Sequence, residues 1–369
     1  MRVEVMLYVY LFVCAAMILF NIVTALLFRA GERKTEKVSR DLQHRVLVQL
    51  RVLEKYPAVG KKHKLYLSRR LRRVGNMAAF DAMLETEYVN HPQEIRLYLR
   101  SLDEVFLALM THYTKQNRME AAYFPYILKK YRVIAHRSFP SLEGALLAML
   151  HEPSIYCREN AMQALYTTGN VECILKALEI IDRSNLFYHG KLLCDGMLNF
   201  AGSVQQLGQG IVRSFFSFSE EMQVTLLDYL RFSSGEWAEF ALSLLRNGEL
   251  GDEIHYAAIR YLGKYPLDAA YGVLCRLAEE SGDYQWQYAA IASTALGAYP
   301  SETTVQILKN NLYSRNWYVR LNAAISLENL GLSYAELTDV IDGNDRYAAE
   351  ILRYCLQRDT TGEGEVVYT

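Results

Sequence analysis

The chain has 369 residues, 51% of them hydrophobic, and a formal net charge of −1. That length suits two ordinary domains or one elongated array, and that hydrophobic share excludes a disordered chain. The near-neutral total hides an asymmetry: residues 29–73 carry 15 Lys and Arg against four acids, while residues 74–369 carry 24 basic and 36 acidic side chains. A basic collar therefore precedes an acidic body.

Val5–Phe28 is a run of 24 residues without a charge. As a helix it would extend about 36 Å, more than the roughly 30 Å of a bilayer's hydrocarbon core. Tyr8 and Tyr10 sit near its outer end, where interfacial aromatics belong. A cleaved signal peptide is the rival reading. The run is long for one, its charges follow rather than precede it, and no clean A-x-A site comes after. Arg2 is offset by Glu4 before the run, whereas Arg29, Arg33, Lys34, Lys37, Arg40 and Arg45 follow it. The positive-inside rule then predicts a single-pass protein of the cell membrane with its C-terminal body in the cytoplasm.

Residues 29–56 continue as a helix in this reading, with Val38, Leu42, Val46, Leu50 and Leu53 on one face, and Pro57 and Gly60 end it. Lys61–Arg73 is densely basic. A solvated helix face that doubles as a topology signal accounts for it. The sharper reading gives Lys61, Lys62, Lys64, Arg69, Arg70, Arg72 and Arg73 contact with anionic lipid headgroups, worth about 1 kcal/mol per cation near such a surface. Nucleic acid is disfavoured, because no recognition motif accompanies the patch.

From Leu65 onward the sequence predicts helix after helix, with strand signals scarce. Six segments end on a glycine, at Gly169, Gly202, Gly235, Gly263, Gly297 and Gly331, and the intervals are 33, 33, 28, 34 and 34 residues. A period of that size means helical pairs that bury their apolar faces on one another. The clearest copy is Trp317–Gly331, WYVRLNAAISLENLG.

The pattern Val319-Arg320, Ala323-Ala324, Leu327, Leu330-Gly331 resembles HEAT repeats in the short form common in bacterial proteins. Arg158 with Asn160-Ala161 and Ala164-Leu165 is a weaker copy. The resemblance implies an all-α, HEAT-like α-solenoid. With the single transmembrane helix before it, the chain divides into an anchor at residues 1–28, a basic juxtamembrane region at 29–74, divergent helical repeats at 75–137, HEAT-like repeats at 138–359 and a short flexible tail at 360–369. HEAT repeats often keep an arginine ladder. Here that position holds Arg158, Lys191, Val224, Asp252, Trp286 and Arg320, so the array is irregular.

No catalytic constellation accompanies this architecture. GxSxG, HExxH and GxxxxGK[ST] are missing, and the eight histidines are scattered. The six cysteines form no CxxC pair and read as buried free thiols of a reducing compartment. No metal or cofactor is expected. What stands out is 27 tyrosines, ten of which, from Tyr256 to Tyr334, crowd the last three repeats. Packing in the core and between repeats, with hydroxyls reaching solvent, is the plain account of these. The functional alternative is an exposed aromatic groove with acidic neighbours that takes a partner protein, with Tyr256, Tyr284, Trp286, Tyr288, Tyr313, Trp317 and Tyr318 as its candidate residues.

The function expected is thus a membrane-anchored scaffold or adaptor. Its topology also suits a place beside polysaccharide-synthesis or secretion machinery. The fold resemblance implies a second class, since some HEAT-like proteins are lyases or DNA glycosylases. A lyase needs converging acids, and a glycosylase needs a basic concave face. A sensor of anionic lipid surfaces is the third class.

Overall fold

The computed structural model describes residues 3–53, 58–115, 119–135, 137, 139–184, 186–279 and 285–361. Among these the regular structure is helical throughout, with no strand. By contacts the chain divides into two compact units, residues 1–186 with 200–202 and residues 187–199 with 203–369.

The first unit is built on α1, Val3–Leu53, an unbroken helix of 51 residues. Its first half includes Tyr8–Leu26, which is long and apolar enough to cross a membrane and has no buried residue. Its second half is amphipathic. Leu42 and Val46 are fully buried and Leu50 nearly so, one helical turn apart on the face that meets α3 (Val74–Asn90) and α4 (Pro92–Arg100). The residues after the apolar run thus continue as helix, as the periodicity predicts. Residues 54–57, where that helix was expected to end, lie outside the described residues.

The basic stretch splits into α2, Lys61–Arg70, and a turn of Leu71 to Arg73. The Gly60 N–H donates to Gln49 Oε1 at 3.1 Å, and Tyr66 Oη donates to Asp41 Oδ2 at 2.8 Å. So α2 descends along α1 toward the apolar half. Asn76 Nδ2 donates to the Arg70 carbonyl at 2.8 Å, and Gln43 Nε2 donates to Glu87 Oε1 at 2.6 Å, so α3 climbs back in the direction of α1. The unit continues with α5 (Asp103–Tyr113), α6 (Tyr123–Lys130), α7 (Pro140–Met149), α8 (Ile155–Tyr166) and α9 (Val171–Arg183). Here α2 packs on α5, α5 on α7, α6 on α8 and α7 on α9.

A buried carboxylate organises the middle of this unit. Asp81 is 7% exposed. It accepts from Lys130 Nζ at 2.7 Å, Tyr131 Oη at 2.6 Å and Tyr123 Oη at 2.8 Å. Burial and the neighbouring carboxylate push both tyrosine hydroxyls well above their ordinary pKa. Although burial works against its charge, Lys130 is held cationic by Asp81 and Glu85.

The second unit comprises α10 (Gly190–Leu198), α11 (Val204–Ser214), α12 (Glu220–Ser233), α13 (Ala238–Leu245), α14 (Asp252–Lys264), α15 (Asp268–Glu279), α16 (Trp286–Leu296), α17 (Glu302–Asn311), α18 (Trp317–Asn329), α19 (Thr338–Ile341) and α20 (Arg346–Thr361). The even-numbered helices α10 to α20 form a row in which each packs on the next, and α13, α15, α17 and α19 pack beside them. Polar caps start several of them. The side chains of Ser203, Ser219 and Ser301 accept from backbone N–H groups three residues on, which satisfies donors that a helix N-terminus leaves free.

The periodic glycines serve this row in a way the sequence does not reveal. Only Gly169 and Gly331 adopt a positive φ, 74° and 76°, the left-handed conformation of a helix end. Gly263 lies inside α14, and a Cβ there would stand 2.9 Å from the Ala295 Cα of α16. At Gly235 it would meet the Tyr265 ring at 2.7 Å, and at Gly297 the Ser326 hydroxyl at 3.0 Å. Gly235 and Gly297 still lie at the ends of α12 and α16, whereas Gly263, still within α14, marks close approach to α16.

The tyrosine surplus has a similar explanation. The hydroxyls were expected to reach solvent. Instead, Tyr113 Oη donates to the Leu71 carbonyl at 2.9 Å in the first unit. In the second, Tyr299 Oη donates to the Leu262 carbonyl at 3.0 Å and accepts from the Leu267 N–H at 3.1 Å. Tyr261 makes the equivalent pair of bonds with Ser234 and Trp237. A phenol carries an apolar ring into the core and a polar group to backbone atoms that a helix end leaves unpaired.

Candidate functional site

Two surfaces contain the residues singled out in the sequence, one in each unit. The first is the α2–α3 corner. Lys61, Lys62, Arg69, Arg70, Arg72 and Arg73 are exposed there, whereas Lys64 is partly buried and reaches Glu104 at 3.4 Å. Lys62, Leu65, Tyr66, Arg69, Arg70, Arg73 and Asn76 line an open cavity of about 530 Å³. Tyr66 forms its floor, fixed by its bond to Asp41 and by the Arg45 guanidinium 4.4 Å from its ring centroid. Burial alone would raise the Asp41 carboxyl. Tyr66, Arg45 and the charge of Arg70 together bring it below its ordinary value, so it stays ionised and engaged. On the other side of Tyr66, His63 is buried and shares a hydrogen bond of 2.7 Å with Tyr98 Oη. Burial, with Arg45 nearby, pushes the imidazole down to about 4.

The second surface lies at the N-terminal ends of α16 and α18. Trp286 and Tyr318 stack with ring centroids 5.4 Å apart, and Trp317 meets Tyr318 edge-on at 5.1 Å. Trp317 and Tyr318 are 51% and 54% exposed. Trp286 is half-buried against Ala289, Ala290 and Val319. Asn316 caps α18 by accepting from the Tyr318 N–H at 2.9 Å, which fixes the chain just where the two aromatics project. Tyr313 is exposed on the preceding turn.

The other candidates separate from this cluster. Tyr256 and Tyr288 are buried against each other, centroids 4.8 Å apart. Tyr288 Oη donates to Asp252 Oδ1 at 2.7 Å and is hydrogen-bonded to His255 Nδ1 at 2.8 Å. Tyr284 lies outside the described residues. Tyr347, which sequence reasoning passed over, is 67% exposed with the Arg320 guanidinium 5.2 Å from its ring. It is the second residue of α20, as Tyr318 is of α18, and that shared position was the available signal.

Among the described residues no group of three or more His, Cys, Asp or Glu is placed to hold a metal ion. All six cysteines are free. Burial raises the Cys173 and Cys194 thiols to about 12, far from the thiolate a nucleophile requires. Compared with models of protein families and with curated proteins, the chain matches none.

Proposed function

We propose that this chain is a membrane-anchored scaffold of HEAT-like helical repeats that holds a partner protein at the cytoplasmic face of the cell membrane. The observation that carries the reading is the continuity of α1: an exposed apolar half and a half packed into the first unit form one helix. A body joined to its anchor in this way is held at a fixed height above the bilayer, which suits an adaptor. The row of helices α10 to α20 supports the solenoid reading, since each unit buries its apolar face on the next. The partner surface is Trp286, Trp317 and Tyr318, with Tyr313 beside them. Exposed aromatic rings held rigidly are the side chains that interfaces use as anchors.

The test is site-specific crosslinking in intact cells, with a photoreactive residue at Trp317 or Tyr318 of the full chain. A discrete adduct formed from these positions, and missing when the residue is placed at Gln306 on α17, supports the reading. Adducts equally abundant from both sites, or none from either, would remove it. Protease added outside intact cells checks the topology, because digestion of the body would reverse the orientation.

A further inference from the structure

The α2–α3 corner carries a ligand assignment more specific than a basic surface. Its height above the membrane follows from two hydrogen-bonded registers, granted the proposed reading that α1 spans the bilayer. Gln43 is 15 residues beyond Phe28, the last residue of the uncharged run, or about 22 Å along the helix. Glu87 stands level with Gln43 through their hydrogen bond, and Arg73 is 14 residues earlier along α3. For helices crossing at up to about 50°, Arg73 then lies within about 10 Å of the level of Phe28. The register through α2 is independent. Tyr66 is level with Asp41 and Arg45, and the four further residues of α2 bring its last residue, Arg70, down to roughly 14–20 Å, with Arg73 in the turn that follows.

The headgroup layer is about 5–7 Å thick on each side, and at physiological salt the field of its charges extends about another 8 Å. By these registers Arg73 stands at headgroup height and Arg69 and Arg70, higher on α2, at the outer edge of its field, while Lys61 and Lys64, toward the Gln49 end of α2, stand well above it. None of Lys62, Arg69, Arg70 and Arg73 forms an ion pair with a described residue. Asp41, the carboxylate beside them, is already bound by Tyr66 and Arg45. Arg69 and Arg73 thus have no ion-pair partner among the described residues and Arg70 shares only the field of Asp41; the three line a concave opening and present planar donors suited to phosphate oxygens.

We infer that this corner docks the headgroup phosphate of an anionic phospholipid in the leaflet from which α1 emerges, held by Arg73 with Arg69 and Arg70 above it. The site would set the rotation of the first unit about α1, which the anchor alone leaves free.

The experiment uses the full chain reconstituted through α1 into nanodiscs of phosphatidylcholine, with or without phosphatidylglycerol, in phosphate-free buffer. Phenylglyoxal modifies accessible guanidiniums, and mass spectrometry reads the rate at each arginine. Arg69, Arg70 and Arg73 are expected to react about fivefold more slowly in the discs containing phosphatidylglycerol, the factor that one cation gains near an anionic surface. Arg51 and Arg132, exposed elsewhere on the unit, are expected to react equally in both. Equal rates at the three corner arginines would overturn the site. Equal protection in phosphatidylcholine discs given inorganic phosphate would assign the pocket to a soluble phosphate and overturn the lipid assignment. Release of the chain from the discs by an alkaline carbonate wash would sink the spanning reading, and the docking site with it.

Discussion

Gln43 of α1 donates to the buried Glu87 carboxylate of α3 at 2.6 Å, tying the anchor helix to the body at one register. Replacing Gln43 with alanine leaves a carboxylate that is 3% exposed without that donor. Loss of a hydrogen bond to a buried charged group costs about 1–3 kcal/mol. Denaturant unfolding of the Gln43→Ala chain in detergent is expected to show a loss in that range. An unchanged midpoint would mean that the two helices are held by Leu42, Val46 and Leu50 alone.

Asp81 should be the most sensitive polar position of the first unit. Asp81→Ala takes the shared carboxylate acceptor from Tyr123 and Tyr131 and leaves Lys130 to Glu85 alone, and losing hydrogen bonds to a charged group costs about 1.5–3 kcal/mol. Tyr131→Phe removes one donor and is expected to cost about 1 kcal/mol. Thermal unfolding of the two variants side by side checks both the order and the gap.

His63 gives the stability a pH dependence of known sign. Its folded pKa of about 4 lies below the ordinary value of 6.5. Below about 6.5 the unfolded chain takes up a proton that the folded chain refuses until about 4, so stability falls as the pH drops through that window. His63→Gln keeps a partner for Tyr98 and removes the titration. The fall in unfolding midpoint between pH 7 and pH 4.5 should shrink in this variant, and a fall of wild-type size would show that other groups cause it.

Two glycine substitutions separate packing from propensity. Gly263→Ala places a methyl 2.9 Å from the Ala295 backbone, and overpacking of that kind costs about 1–3 kcal/mol. Gly272 lies inside α15 with nothing within 4 Å of a new Cβ, so Gly272→Ala gains about 0.5–1 kcal/mol from helix propensity. Opposite signs in calorimetry are the expected outcome.

The aromatic cluster should behave as surface. Trp317→Ala is expected to change stability by less than about 0.5 kcal/mol while abolishing the crosslink proposed above. Tyr288→Phe should cost about 1 kcal/mol through its bonds to Asp252 and His255 and leave the crosslink intact. A reversal of the two effects would move the partner surface elsewhere.

The local pattern carried much of the architecture. The uncharged run and the four-residue spacing of Leu42, Val46 and Leu50 are legible because neighbours on one helix face lie close in sequence. The glycine interval is legible for the same reason, but its meaning is not. Whether Gly263 ends a helix or admits Ala295 depends on a residue 32 positions away. Tyr256 and Tyr318 look alike in composition, yet Tyr256, the fifth residue of α14, is buried and Tyr318, the second of α18, is exposed. The Asp81 network joins side chains 42 to 50 residues apart, beyond any periodic signal. At the basic corner, composition found the cations, and only the descent of α2 along α1 sorts Arg69, Arg70 and Arg73 from Lys61 and Lys64.

The unbroken course of α1 has a mechanical consequence. From Phe28 to Leu53 the helix extends about 38 Å without a break, so on the proposed reading that its apolar half spans a bilayer, the bilayer end would act on the far end as a lever. A change in tilt of about 10°, well within the range that membrane thickness alone imposes, would swing Leu53 sideways by about 6–7 Å. The packed face at Leu42, Val46 and Leu50 would carry the first unit with it. On that reading membrane thickness becomes a positional input to the first unit.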